Sequence, residues 1–169
     1  MEAIEAIHTR RSVRKFEERA VDDETIEKLL HAAMMAPSAR NQQPWHFVVL
    51  REPTTLRKIA EGCPNAGMAA GAPMAVLVCA DTERELTSGY LPQDCAAAVQ
   101  NMLLAAHAMG LGAVWCGMHP RPRREGFMRK LLDIPEHILP HSLVVIGHPA
   151  EQPAQPERFQ PERIHREQW

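Results

Sequence analysis

The chain has 169 residues, 45% of them hydrophobic and 24% charged, which is the composition of one globular domain with a sizeable core. Nineteen Lys and Arg residues against 21 Asp and Glu residues give a formal charge of −2, so the positive surplus typical of nucleic-acid-binding proteins is missing. No apolar run approaches the ~20 residues of a membrane span, and the N-terminus lacks a signal-peptide pattern.

The first third of the chain alternates helical and strand patterns. Ile spacing after an acidic start predicts a short helix over 2–9. Asp22 is a candidate N-cap for a second helix, which stops near Pro37. "WHFVVL" predicts a strand over 45–50, and "PTTLRKIAEG" predicts a helix over 53–62 that begins with Pro.

The remaining elements follow in order: strand 73–80, polar loop 81–92, helix 93–110, strand 113–118, helix 122–132 and strand 141–148. The 93–110 helix is apolar almost all round, and a monomer of this size buries such a helix with difficulty. We therefore expect a second copy of the chain to cover it. Helices that alternate with four strands predict a three-layer α+β or α/β domain.

The end of the chain changes character after Gly147. It contains four prolines and ends in Trp169, an anchor that a structureless tail rarely carries. We expect a single domain over 1–169, whose segment 148–169 is an extended arm that packs on the partner subunit.

Four cysteines occur, at Cys63, Cys79, Cys95 and Cys116. They are far apart and include no CxxC pair, which predicts reduced thiols in a cytoplasmic protein and no disulfide framework. His137 and His141 are four residues apart, but Pro140 breaks the helix that a zinc-binding pair would need. The sequence thus predicts no metal site.

The stretch "HTRRSVRKF" (8–16) concentrates positive charge near the chain start. Arg10 and Arg14, with Ser12 between them, offer forked donors and a hydroxyl that suit a phosphate group. Taken alone, the run is more typical of a solvated basic loop than of a phosphate site.

The stretch "APSARNQQPWHF" (36–47) places short polar side chains in a loop ahead of a buried strand. Ser38, Asn41 and Gln43 supply donors and acceptors, and the Asn41 and Gln43 amides could match the alternating pattern of a heterocycle edge, because each amide has one acceptor and two donors. The same residues are also common in an ordinary helix-to-strand turn.

Together, these motifs resemble the nitroreductase family of flavin enzymes. The matching segments are "RRSVRKF", "APSARNQQPWHFVV", "AAHAMGLGAVWCG" and the tail "GHPAEQPAQPERF…ERIHREQW", in order along the whole chain. The resemblance implies an α+β, three-layer α-β-α fold with a mainly antiparallel central sheet. It also implies an intertwined homodimer that binds FMN at the subunit interface.

The resemblance assigns cofactor-binding roles to the N-terminal stretch. Arg10 and Ser12 fall where the family binds the FMN phosphate and ribityl chain, with Arg11 in the same stretch. Arg14 falls where a cation faces the flavin N1–O2 edge, which gains negative charge on reduction.

Further cofactor-binding positions come from three other segments. Pro37, Ser38 and Asn41 match a segment that reaches the flavin from the other subunit. The other matching positions are Trp115, Cys116 and Gly117 beside the ring, and Arg158 at the phosphate.

The implied function is an FMN-dependent oxidoreductase. A hydride would pass from NADH or NADPH through flavin N5 to a nitroaromatic, quinone or other conjugated acceptor in a ping-pong scheme. This chemistry requires no catalytic side chain of the protein. The alternative is a flavin carrier or regulatory dimer of the same fold without redox turnover.

Overall fold

An antiparallel sheet of four strands forms the centre of the molecule in a computed structural model that describes residues 1–169. The strands are β1 (Trp45–Leu50), β2 (Met74–Asp81), β3 (Gly112–Gly117) and β4 (Ile138–Gly147). Their order across the sheet is β1-β2-β4-β3, so β1 and β3 are the edges. Because β2 is buried along almost its whole length, it reads as a continuous apolar run.

Helices cover both faces of this sheet. They are α1 (Ala3–Thr9), α2 (Asp23–Met34), α3 (Pro53–Gly62), α4 (Leu91–Ala108) and α5 (Pro122–Leu131). One core lies between the sheet and the pair α2 and α4, and a second lies between the sheet and α3 and α5. The three-layer α-β-α prediction is confirmed, with a sheet that is wholly antiparallel.

The helix boundaries agree with the capping signals. Asp22 caps α2, since its carboxylate accepts the Thr25 N–H at 2.8 Å, and this bond lowers the pKa of the Asp22 carboxyl. The long helix α4 begins at Leu91, two residues before the predicted start. Pro92 fits within its first turn, where backbone N–H groups have no helical partner.

Strand β4 begins at Ile138, three residues before the predicted start at His141. Pro140 does not end the strand, because β3 pairs with β4 only from Ser142 onward. Residues 138–140 therefore have a neighbour on one side only, where a missing N–H is tolerated. The pairing of β2 with β4 also changes register here, because Val78 pairs with Ser142 whereas Cys79 pairs with Pro140.

Helix α4 is not buried on all sides in one chain. Its inner face is buried, whereas Gln93 and Gln100 are exposed and Ala96, Ala97 and Leu104 are only half-buried. Neither α4 nor any other helix combines the length and the apolarity that crossing a bilayer demands.

The start and the end of the chain meet beside β3. The Val13 N–H donates to the Ala113 carbonyl at 3.0 Å, and the Ala150 N–H donates to the Lys15 carbonyl at 2.9 Å. This close approach requires a glycine at 112, since a Cβ there would lie 2.7 Å from a methyl group of Val13. The fold thus fixes the basic stretch against the outer edge of the sheet.

Beyond Ala150 the chain is extended and largely exposed, with one short 3-10 turn at Pro161–Arg163. Phe159 is 70% exposed and Trp169 is fully exposed, so neither side chain is buried within its own chain. That the whole chain is one domain with an arm over a partner stays a prediction.

Candidate functional site

Three arginines from the two ends of the chain lie close together. Burial lowers the pKa of the Arg10 guanidinium, and the nearby charges of Arg158 and Arg11 lower it further. None of the three forms an ion pair with a carboxylate. Clustered cations without counter-charges repel one another, and a bound anion would relieve this repulsion.

Arg11 adds an unsatisfied donor to this cluster. Its terminal NH1 donates to the Arg10 carbonyl at 2.5 Å, while its Nε is buried and has no hydrogen-bond partner. A buried N–H without a partner is costly, so its presence points to a ligand with acceptor oxygens. A phosphate monoester supplies both the acceptors and the negative charge, so the cluster fits the phosphate of FMN.

Two cavities adjoin the arginine cluster. One, of about 330 Å³, lies between the end of α1 and β3, and the other, of about 640 Å³, lies between α1 and the arm. Arg10 and Arg11 line both cavities, and Arg158 lines the second. His107 lines the first, where burial and then the Arg10 charge lower its pKa and favour the neutral ring.

Arg14 lies farther along the same stretch. Its backbone N–H donates to a carboxylate oxygen of Glu151 at 2.6 Å, which fixes the stretch to the chain end while the side chain stays exposed. The positive charge of Arg14 acts on the Cys116 thiol, so the guanidinium lies toward the end of β3. Ser12 is half-buried and bridges to Ala113.

The end of β3 presents backbone groups at the outer edge of the sheet. The Ala113 carbonyl points outward to Val13, and backbone direction alternates along a strand, so Trp115 and Gly117 also point outward. The Gly117 carbonyl accepts bonds from Asn65 at 3.2 Å and Arg124 at 3.0 Å. The N–H groups of Trp115 and Gly117 face the outer edge, beside a Trp115 ring that is exposed.

Cys116 has a different orientation. Its backbone faces β4, and its buried sulfur lies 3.7 Å from the sulfur of Met68. Burial raises the pKa of the Cys116 thiol to about 11, which makes it a poor nucleophile. Among the three predicted residues on β3, Trp115 and Gly117 are therefore better placed for a ligand than Cys116.

The second predicted segment, loop 36–44, is built around a residue that sequence reasoning missed. The buried Asp94 carboxylate accepts the Ala39 N–H at 2.9 Å and the Gln42 amide at 2.6 Å. The Gln42 amide oxygen in turn accepts the Leu86 N–H at 2.8 Å. The sequence signal that could have indicated Asp94 is that it is the one acidic residue of the long, largely apolar helix α4.

This network holds a strained loop. Arg40, Asn41 and Gln43 have φ values of 50°, 54° and 44°, a region that residues other than glycine rarely adopt. The Ser38 hydroxyl accepts the Gln43 N–H at 3.0 Å, whereas Pro37 and Asn41 are exposed. The loop is therefore ordered by its own contacts and still offers polar groups at its surface.

The loop and the arginine cluster are far apart in one chain. Asp94 binds the loop and His107 lines the cavity beside the arginines, and these residues are 13 positions apart on α4, or ~20 Å at ~1.5 Å per residue. The loop leads into β1 while the arginines adjoin β3, the opposite edge of the sheet. One chain thus brings Arg10, Arg11 and Arg158 together but leaves the residues of the loop remote.

Comparison with known proteins identifies the family. The profile of the nitroreductase family matches residues 7–87 and 60–148. The chain belongs to this family. A relative from Methanothermobacter thermautotrophicus, provisionally named NADH dehydrogenase/NAD(P)H nitroreductase, is 48% identical to it over 169 residues, which cover 100% of this chain and 88% of the relative.

Solved nitroreductase structures share the whole fold. A provisionally named NADH dehydrogenase/NAD(P)H nitroreductase from Parabacteroides distasonis superposes with a TM-score of 0.95 at 40% identity, covering 99% of this chain and 98% of the other. A provisionally named nitroreductase from Desulfovibrio desulfuricans, solved in complex with FMN, gives 0.87 at 33% identity over 100% and 98% of the two chains.

Proposed function

We propose that this nitroreductase-family chain is an FMN-dependent oxidoreductase that uses NADH or NADPH as electron donor. The observation that carries the proposal is the cluster of Arg10, Arg11 and Arg158, which has no carboxylate partner and includes a buried orphan donor. The FMN complex of the Desulfovibrio desulfuricans relative supports the choice of anion. A flavin carrier without turnover is not favoured, because the relatives are named as reductases and dehydrogenases.

The chain's own residues bind and orient the cofactor in this proposal. Arg10, Arg11 and Arg158 hold the phosphate, and Ser12 bonds the ribityl chain. Arg14 places a fixed positive charge at the N1–O2 edge of the ring, and the outward backbone groups of Trp115 and Gly117 lie along the ring. Bound FMN supplies the chemistry, two-electron transfer from a nicotinamide to a conjugated acceptor such as a nitroaromatic or quinone.

The working unit in this proposal is a homodimer. The loop that contains Pro37, Ser38 and Asn41 is bound by Asp94, which is ~20 Å along α4 from His107 beside the arginines, so in this proposal the loop reaches the cofactor of the partner. The half-buried outer face of α4 supports the same arrangement, and the exposed arm 148–169 packs on the partner subunit. The four free cysteines suit a reducing compartment, and we place the protein in the cytoplasm.

Anaerobic titration with NADH or NADPH tests the proposed activity. The protein loaded with FMN should lose its yellow colour on addition of stoichiometric reduced nicotinamide, and a nitroaromatic or quinone should restore it. Protein that binds FMN but stays yellow with both nicotinamides would contradict the enzyme and support the carrier. Protein that binds no FMN would contradict the assignment of the arginine cluster.

A further inference from the structure

The structure brings together a group of metal-ligating side chains far from the arginine cluster. Asp81, Glu83 and His137 each offer one ligand atom, and these three atoms lie within 4.8 Å of one another. The Nε2 atom of His46 lies 3.5 Å from Asp81 Oδ2. No spacing in the sequence indicates this group, because its members come from three separate segments.

We propose that His46, Asp81, Glu83 and His137 form a binding site for Zn²⁺ or a chemically similar divalent transition ion. Two imidazoles with two carboxylates make a ligand set that zinc prefers, whereas a purely acidic cluster would indicate a harder ion or none. The site lies at one end of the sheet, where β1 begins, β2 ends and β4 begins.

The spacing of the ligand atoms agrees with this assignment. Ligands about 2.1 Å from a tetrahedral ion lie ~3.4 Å from one another. The 3.5 Å between His46 Nε2 and Asp81 Oδ2 is close to that value. The ligand atoms of Asp81, Glu83 and His137 are at most 4.8 Å apart, and rotations of the exposed Glu83, His137 and His46 side chains would bring the set closer.

Backbone bonds hold the three segments together independently of an ion. Thr82 donates from both its N–H and its hydroxyl to the His137 carbonyl, each at 2.9 Å. The Asp81 N–H donates to the Pro44 carbonyl at 2.8 Å, and Asp81 Oδ1 accepts the Glu83 N–H at 2.9 Å. The second oxygen, Asp81 Oδ2, therefore remains for an ion.

One cation already competes for this oxygen. The Nε atom of Arg84 lies 3.6 Å from Asp81 Oδ2, and its side chain is 57% exposed. A metal ion must displace this guanidinium, which a flexible exposed side chain permits at little cost. Removal of Arg84 should consequently strengthen metal binding.

Calorimetric titration of the FMN-loaded protein with ZnCl₂, after chelator treatment and its removal, tests the site. Wild type should bind one Zn²⁺ per chain, and Asp81→Asn, His137→Asn and His46→Asn should each weaken binding by about tenfold or more. Asp81→Asn keeps an oxygen acceptor for the Glu83 N–H, and flavin absorbance reports on folding in every variant. The matched control is His31→Asn, which removes an exposed imidazole on α2 and should leave the affinity unchanged.

Arg84→Ala should raise the Zn²⁺ affinity by a few-fold, and CoCl₂ should give the visible bands of a tetrahedral site that the Asp81 variant loses. The proposal is overturned if wild type shows no saturable binding at one ion per chain. It is also overturned if the three ligand variants bind like His31→Asn, since the ion would then be adventitious only. Both outcomes are independent of nicotinamide oxidation, so they leave the proposed activity untouched.

Discussion

Two groups of predicted cofactor-binding residues lie beside opposite ends of α4, and the two groups differ in how far their own chain satisfies their polar atoms. At the C-terminal end, Arg10, Arg11 and Arg158 have charges without partners and a buried donor without an acceptor. At the N-terminal end, Asp94 and Gln42 satisfy the donors of a loop with strained backbone. The first end therefore has donors and charges that its own chain does not satisfy, whereas the second is satisfied by its own contacts and presents polar groups at its surface.

This difference shows how one chain can carry two halves of a site without assembling it. The arginine end supplies charge, and the loop end supplies a rigid polar surface whose order does not depend on the cofactor. Because ~20 Å of helix separates the halves, the proposed cofactor site combines residues of two copies. The predictions below test first the rigidity of the loop end and then the charge of the arginine end.

Asp94→Ala should have the largest effect on stability. It leaves the Ala39 N–H and the Gln42 amide without their acceptor, and at about 1–3 kcal/mol for each orphaned donor the free energy of unfolding should fall by about 2–5 kcal/mol. Urea unfolding measures the change. Glu27→Ala, which removes an exposed carboxylate on α2, is the control, and an equal small effect for both variants would show that Asp94 does not organise the loop.

Acid should lower the free energy of unfolding through the buried ring of His141. Its ring bonds to the Ser142 hydroxyl and stacks on His119, which pairs with Glu125. Burial, followed by the nearby His119, lowers the pKa of His141 from 6.5 to about 4. The folded protein thus keeps this ring neutral where the unfolded chain takes up a proton.

The stabilisation from neutral His141 is complete above pH ~6.5 and is lost as the pH falls toward 4, with about 2 kcal/mol lost between pH 7 and pH 5. His141→Gln keeps a polar side chain beside the Ser142 hydroxyl but does not titrate, so its unfolding free energy should depend less on pH by about this amount. Urea unfolding of both proteins at pH 7 and pH 5 measures the difference. Parallel pH profiles would mean that His141 is not held neutral.

At the arginine end, Arg10→Gln should weaken FMN binding by about 10–100-fold. A hydrogen bond to a charged group contributes about 1.5–3 kcal/mol, and the phosphate carries the same charge in oxidised and reduced flavin. Fluorescence titration with FMN measures the dissociation constant. The control is Arg19→Gln, which removes an exposed arginine nearby in sequence and should bind FMN like wild type. A similar loss of affinity in both variants would show that only the net charge of the protein matters.

Arg14→Gln should have the smallest effect and a different signature. A cation at the N1–O2 edge meets extra negative charge only after reduction, so its loss should lower the two-electron potential by ~20 mV for ~1 kcal/mol. Arg10→Gln should leave the potential nearly unchanged. Spectroelectrochemistry of FMN-saturated variants measures both potentials. Equal potentials for Arg14→Gln and wild type would show that Arg14 does not lie at the N1–O2 edge.

The sequence predicts most of the fold because its local signals are strong. The Asp22 cap, the Pro that begins α3 and the apolar run of β2 each mark an element within about two residues of where it lies. The start of β4 was missed because Pro140 normally ends a strand, and only tertiary structure shows that this part of β4 has one neighbour. The 3-10 segment Pro64–Gly71 was missed because it has no apolar period.

The sequence yields site predictions where residues are near one another in the chain and act through charge, as in the stretch that contains Arg10 and Arg14. Asp94 was not predicted, because its partners Ala39 and Gln42 are more than 50 positions away. The orientation of Cys116 also depends on long-range pairing, since the contact between Val13 and Ala113 decides which backbone groups of β3 face outward.

A mixed dimer tests most directly whether the two halves come from different chains. One chain carries Arg10→Gln with Arg158→Gln, the other carries Ser38→Ala with Asn41→Ala, and each has its own affinity tag. The experiment uses an FMN concentration that loads wild type but neither variant alone. If each site combines arginines of one chain with the loop of the other, the purified mixed dimer contains one intact site and should bind one FMN. A mixed dimer that binds no FMN would show that each site lies within a single chain.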